Sequence, residues 1–155
     1  MGAYQDDDGG GNSGSAYIFT RSGTSWSQQA KLVAGDAAAS DRFGWSVSIS
    51  GDYAIVGASW DDDGGSASGS AYIFVRDGTS WSQQAKLVAD DANPSDYFGY
   101  SVSISGDYAL VGAHYEDDGG NNSGSAYTFV RSGTSWSQQA KLVADDAAAS
   151  DKFGN

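Results

Sequence analysis

The chain repeats itself every 55 residues without a gap, so Tyr17 falls on Tyr72 and Tyr127, Trp26 on Trp81 and Trp136, and Phe43 on Phe98 and Phe153. The units run 2–56, 57–111 and 112–155, the last cut short. Trp-Ser-Gln-Gln-Ala-Lys-Leu-Val-Ala recurs letter for letter from Trp26, Trp81 and Trp136, a near-identity that implies recent duplication or deliberate construction. A period of this length marks a fold made by stacking one supersecondary unit on copies of itself, and the chain reads as a single repeat domain over 1–155.

Within a unit, Phe43, Trp45, Val47 and Ile49 alternate with Gly44, Ser46, Ser48 and Ser50. That two-residue period predicts a first strand with one apolar face. Gly51-Asp52 predicts a hairpin turn, because glycine adopts positive φ freely; Tyr53 to Ala58 returns as a second strand. Ser70 to Val75, apolar on both faces, predicts a third strand sandwiched between layers. Asp77-Gly78-Thr79 then turns the chain into the stretch Trp81 to Ala89. Residues 83–89 also have good helix propensity, which the alanines at 37–39 and 147–149 extend, but Thr79, Trp81 and the short turn favour a fourth strand. Twenty-two glycines against one proline, with 39% hydrophobic residues, fit a turn-rich all-β chain better than a helical bundle or a disordered tail. Four antiparallel strands in ~50 residues make one propeller blade.

Phe43-Gly44-Trp45-Ser46-Val47, Asp52 through Gly57-Ala58, and Gly69-Ser70-Ala71-Tyr72-Ile73-Phe74 resemble the FG-GAP repeat of integrin α-subunit β-propellers and of many bacterial secreted or surface proteins. The resemblance extends over essentially the whole chain, and Phe98-Gly99-Tyr100 through Gly112-Ala113 repeats it. Two features depart from the pattern. Tyr4, Ser59 and His114 stand where the family has proline, and the short Ser50-Gly51-Asp52 turn replaces the Asp-rich calcium loop of some integrin blades. The resemblance implies a seven-bladed ring, whereas this sequence holds about three units. An incomplete ring is expected, with open edges that closure normally hides. The chain is then either a window on a longer protein or a protomer completed by copies of itself.

Acids cluster between the second and third strands of each unit: Asp6, Asp7 and Asp8; Asp61, Asp62 and Asp63; Glu116, Asp117 and Asp118. Calcium takes six to eight oxygens, and three carboxylates with loop carbonyls around a glycine bend make these nine residues candidate metal ligands, with calcium the cofactor expected. The competing reading is a solvated loop whose aspartates cap turns. A second set, Asp90 and Asp91 with Asp96, or Asp145 and Asp146 with Asp151, lies between the fourth strand and the next unit.

Nothing resembles a catalytic constellation. His114 is the sole histidine and occurs in one unit of three; cysteine is absent; and Gly9-Gly10-Gly11-Asn12-Ser13-Gly14, which satisfies the dinucleotide string, precedes a predicted strand rather than a helix. Recurring Trp26, Trp81, Trp136 and Phe43, Phe98, Phe153 predict packing between blades. Trp45, Trp60, Tyr100 and Tyr115 instead vary between units, and Trp60 and Tyr115, next to the acidic loops, are candidate sugar-stacking rings. Asn121-Asn122-Ser123 is a glycosylation sequon.

A net charge of −12 removes the cationic footprint that nucleic acid or an anionic membrane surface needs, and no apolar run is long enough to insert in a bilayer. The expected function is a non-enzymatic extracellular module, secreted or at the cell surface, for adhesion or for binding a protein or glycan. The alternatives are near-identical units assembling head to tail into a fibre, with self as partner, and a lectin-like sugar binder. Any export signal is expected to lie outside this sequence or to have been removed.

Overall fold

A computed structural model describes all 155 residues. Every regular element is a β-strand. The first sheet holds β1 (Gly2–Ala3), β2 (Ser15–Ser22) and β3 (Ser25–Leu32). The second holds β4 (Ser46–Ser50), β5 (Tyr53–Ala58), β6 (Ser70–Asp77) and β7 (Ser80–Leu87). The third repeats this order with β8 (Ser101–Ser105), β9 (Tyr108–Ala113), β10 (Ser125–Ser132) and β11 (Ser135–Leu142). All pairing within the sheets is antiparallel between sequence neighbours, the meander of a propeller blade. The disputed fourth stretch is strand in every unit.

The first strand is shorter than the alternation predicted. It starts at Ser46, and Phe43 lies ahead of it, fully buried, where its N–H donates to the Ser13 carbonyl between β1 and β2 of the first sheet. Val47 and Ile49 are 40% and 56% exposed, although Ile104, at the equivalent place in the third sheet, is 5% exposed. The difference has a direct cause. Ile104 packs against the second sheet, whereas the first sheet has only the stub β1 and β2–β3 to set against Val47 and Ile49. A groove of about 230 Å³ marks the gap, lined by Ile18, Val47, Ile49, Ala54 and Val56 among others.

The sheets stack face to face, and two apolar clusters fill the layers between them. Ala16 and Leu32 meet Ala54, Val56, Tyr72 and Phe74 in one; Ile55, Ile73 and Leu87 meet Ala109, Val111, Tyr127 and Phe129 in the other. Phe43 and Phe98 wedge in with edge-on rings against Tyr72 and Tyr127 at 5.4 Å.

Near the inner strands the blades approach to backbone contact. A Cβ at Gly57 would lie 2.0 Å from the Gly99 carbonyl oxygen at the entry to the third sheet, and Ser46 Oγ donates to that same oxygen at 2.8 Å. One glycine of each close pair comes from the Phe-Gly signature and the other from the Gly-Ala signature, so the two motifs are halves of one contact. On the outer strands, Trp81 Nε1 donates to Gln29 Oε1 of the previous blade at 3.0 Å, and Trp136 Nε1 to Gln84 Oε1 at 2.9 Å. Gln29 and Gln84 are the extra residues of a β-bulge, where Ile18 pairs with Ala30 but Phe19 with Gln28, and Ile73 with Ala85 but Phe74 with Gln83. A bulge re-aims a side chain, and these aim glutamine across the layer. The recurrent tryptophans thus pack between blades as predicted, except Trp26, which is 66% exposed on the uncovered face of the first sheet.

Candidate functional site

Each acidic loop divides its three acids among three tasks. Asp61 points inward: it accepts the Tyr72 hydroxyl at 2.8 Å and Lys86 Nζ at 3.0 Å, and its Oδ1 accepts the Asp63 N–H. Asp62 turns away and accepts the Ala67 N–H at 2.7 Å, capping the loop, as Asp7 does for Asn12 and Asp117 for Asn122. Asp63 is exposed and pairs with Lys86 at 2.5 Å. In the first unit Asp6 and Asp8 share Lys31 in the same way. In the third, Glu116 and Asp118 share Lys141, and the longer Glu116 side chain bonds Ser125 Oγ at 2.6 Å. Tyr127 consequently lacks the hydroxyl partner that Tyr72 has.

A further carboxylate arrives from the previous blade. Asp36 reaches Lys86 at 2.8 Å, and Asp91 reaches Lys141 at 2.7 Å. Asp36, Asp61 and Asp63 thus gather around one ammonium, as do Asp91, Glu116 and Asp118, with the carboxylate oxygens of each trio within 4.8 Å of one another. Burial alone would lower the lysine pKa values, but hydrogen bonds to the carboxylates outweigh it and hold Lys86 and Lys141 above the usual range. These lysines were not among the sequence candidates.

The donor set does not fit calcium as it stands. An ammonium occupies the point where the three carboxylates converge, and the second acid of every loop is committed to a backbone N–H. Of the other acidic set, Asp91 joins a trio, while Asp96 and Asp151 cap local turns through the N–H groups of Asn93 and Ala148. Asp90, Asp145 and Asp146 are exposed. Burial pushes Asp96, and Asp41 at the equivalent place, up to about 6.

The candidate stacking rings belong to a second feature. Trp60 and Tyr115 lie on either side of Tyr97, at 5.6 and 5.3 Å between ring centroids. His114 lies 4.2 Å from Tyr115 and 3.8 Å from Tyr100; Tyr100 continues to Trp45 at 5.4 Å, and Trp45 to Tyr4 at 4.8 Å. Arg42 covers the Trp60 ring at 3.8 Å, and Lys152 lies 4.7 Å from Tyr115. His114 is 6% exposed with Nδ1 unpartnered, and burial, then the Lys152 charge, pulls its pKa down to about 4. A neutral, carboxylate-free imidazole packed among rings has no arrangement for acid–base work.

Five positions carry a different residue in every unit: Tyr4/Ser59/His114, Gln5/Trp60/Tyr115, Gly11/Ser66/Asn121, Arg42/Tyr97/Lys152 and Trp45/Tyr100/Asn155. Four of the five supply this one aromatic ledge. Three of its members, Arg42, Tyr97 and Lys152, which share one repeat position, were missed as sequence candidates, although their lack of repetition was readable.

No helix is long and apolar enough to cross a membrane. A comparison with curated proteins finds no match. The family model described as FG-GAP repeat matches three successive stretches, 26–74, 81–129 and 136–155, together well over half of the chain, in a frame that opens at the recurrent tryptophan. With its meander sheets and its interlocked Phe-Gly and Gly-Ala glycines, the chain belongs to the FG-GAP repeat family.

Proposed function

We propose that this chain is a non-enzymatic extracellular binding module, secreted or at a cell surface, and that the aromatic ledge is its recognition face. The observation that carries the reading is the convergence of the unit-specific residues. Between near-identical units the scaffold is kept, and four of the five positions that differ in all three units supply one chain of packed rings. Family members are typically extracellular or surface proteins, which supports the location.

The chemistry of the ledge favours a glycan that carries an acidic group. Ring faces and edges take the C–H face of a sugar, while Arg42 and Lys152 supply cations in a chain whose net charge is −12. Trp60→Ala and Tyr115→Ala should each weaken binding to uronic-acid-bearing oligosaccharides by about 1 kcal/mol in calorimetry, with the fold kept by circular dichroism. Arg42→Ala with Lys152→Ala should remove the preference over neutral oligosaccharides. Unaltered binding in all these variants would overturn the reading. Calcium enters only as a competitor of Lys86 and Lys141 for the carboxylate trios.

A further inference from the structure

Nine tyrosines make a single tyrosine–tyrosine contact, and it joins two different connections of the repeat. Tyr97 stands in the segment that leads from β7 to β8, and Tyr115 in the loop from β9 to β10. Their ring centroids are 5.3 Å apart with the planes at 70°, an edge of one ring against the face of the other. Both rings are half-buried and open to solvent, whereas Tyr72 and Tyr127 are fully enclosed. One repeat earlier the same two places hold Arg42 and Trp60, so the pair occurs once in the chain.

The backbone fixes both rings. Tyr97 has a φ of +56°, its N–H donates to the Ala67 carbonyl at 3.1 Å, and its own carbonyl accepts the Tyr100 N–H at 3.1 Å. The Tyr115 N–H donates to the carbonyl of Asp96, the residue before Tyr97, at 3.4 Å. A bulky residue keeps a left-handed φ only where its surroundings over-determine it. The two phenols are thus held as neighbours, and their effective concentration toward each other far exceeds that of phenols on separate chains.

We infer that Tyr97 and Tyr115 are a site of oxidative cross-linking, joined carbon to carbon as dityrosine by hydrogen peroxide acting through a haem peroxidase. Each phenol gives one electron to the peroxidase and its O–H proton to water, leaving a phenoxyl radical with spin density on the ring carbons beside the oxygen. The two radicals couple at those carbons, and the hydrogens on the joined carbons move to the two oxygens, restoring both phenols. Hydrogen peroxide takes up the two electrons and two protons and becomes two molecules of water. The pair loses two hydrogen atoms and nothing else. Closing the rings to bonding distance asks for about 1 Å of movement, within ordinary side-chain fluctuation, and a biaryl bond leaves its rings twisted, as these planes already are. The bond closes the open end of the β8–β9 hairpin, a stretch of chain that the unfolded protein otherwise samples freely.

Oxidation of the full chain at low concentration with hydrogen peroxide and a haem peroxidase, followed by mass spectrometry and peptide mapping, tests this. The unaltered chain should give a monomeric product lighter by two hydrogen atoms, with the blue fluorescence of dityrosine and a cross-linked peptide pair that contains Tyr97 and Tyr115. Tyr97→Phe and Tyr115→Phe keep the rings and remove the phenols, and each should lose that product. Tyr108→Phe, at a residue that is 58% exposed and has no tyrosine beside it, should retain it. A monomer of unchanged mass, a bond mapped to another pair such as Tyr97 with Trp60, dityrosine formed only between separate chains, or a product that persists in either paired variant would overturn the inference. No oligosaccharide enters the measurement, so failure of the glycan reading and failure of this one give different results.

Discussion

Lys86 draws carboxylates from two blades, two of them from the start of one loop, and Asp61, with 4% of its side chain exposed, depends on it for neutralisation. Removing one member of a buried pair leaves the other charge uncompensated, so Lys86→Met should cost about 3 kcal/mol in denaturant unfolding. The unaltered chain should melt at the same temperature in calcium and in chelator at matched ionic strength. Lys86→Gln, which empties the centre of the trio, should gain calcium dependence; a calcium-dependent melt of the unaltered chain would show that the ion displaces the lysine. Asp96 gives a different signal. Its folded pKa, about 6 because of burial and then the Glu116 and Asp91 charges, exceeds the unfolded value, so its stabilising effect is full below the unfolded pKa and is lost as pH rises through about 6. Asp96→Asn should therefore raise the melting temperature above neutral pH and leave it unchanged near about pH 4. The acids were legible in the sequence as clusters; their counter-ion was not. Lys86 lies 25 residues beyond Asp61 and 50 beyond Asp36; the hairpin register that sets Tyr72 opposite Lys86 brings it to Asp61, and the stacking of the blades brings it to Asp36.

At the scale of the strand and turn, the sequence signals carried most of the architecture. Tyr53 to Ala58 is a strand over the residues predicted, and the Gly51 and Gly78 turns have the positive φ that their glycines suggested. What alternation did not reveal was that Phe43 and Trp45 stand outside the strand, because burial under the neighbouring unit produces the same apolar spacing as strand pleating. The glycines separate these influences experimentally. Gly57→Ala sets a Cβ 2.0 Å from a backbone oxygen of the next blade and should cost about 3 kcal/mol. Gly78→Ala meets open space, carries only the strain of its φ of +61°, and should cost about 1 kcal/mol in the same denaturant titration. Equal costs would mean that the blades yield at the Gly57 contact.

Across the whole molecule, repetition made the architecture readable and hid the aromatic ledge. The 55-residue step gave the number of sheets and their likeness, while the ledge is assembled from residues about 40 apart, such as Trp60 with Tyr97 and Tyr4 with Trp45, that no local window joins. The ends of the stack behave differently from its middle for one reason: the same residue is core between two blades and surface beside one, as Leu87 and Leu142 are. The polar contacts across the layers are the same tryptophan, glutamine, lysine and aspartate at every step, so no blade bears an address that tells it from its neighbour. Blade order is consequently held by the covalent chain alone. Shuffling or duplicating units would keep the scaffold intact while rewriting the mosaic of aromatic and cationic groups it displays, so a gene built this way can explore new ligands by recombination without paying in foldability.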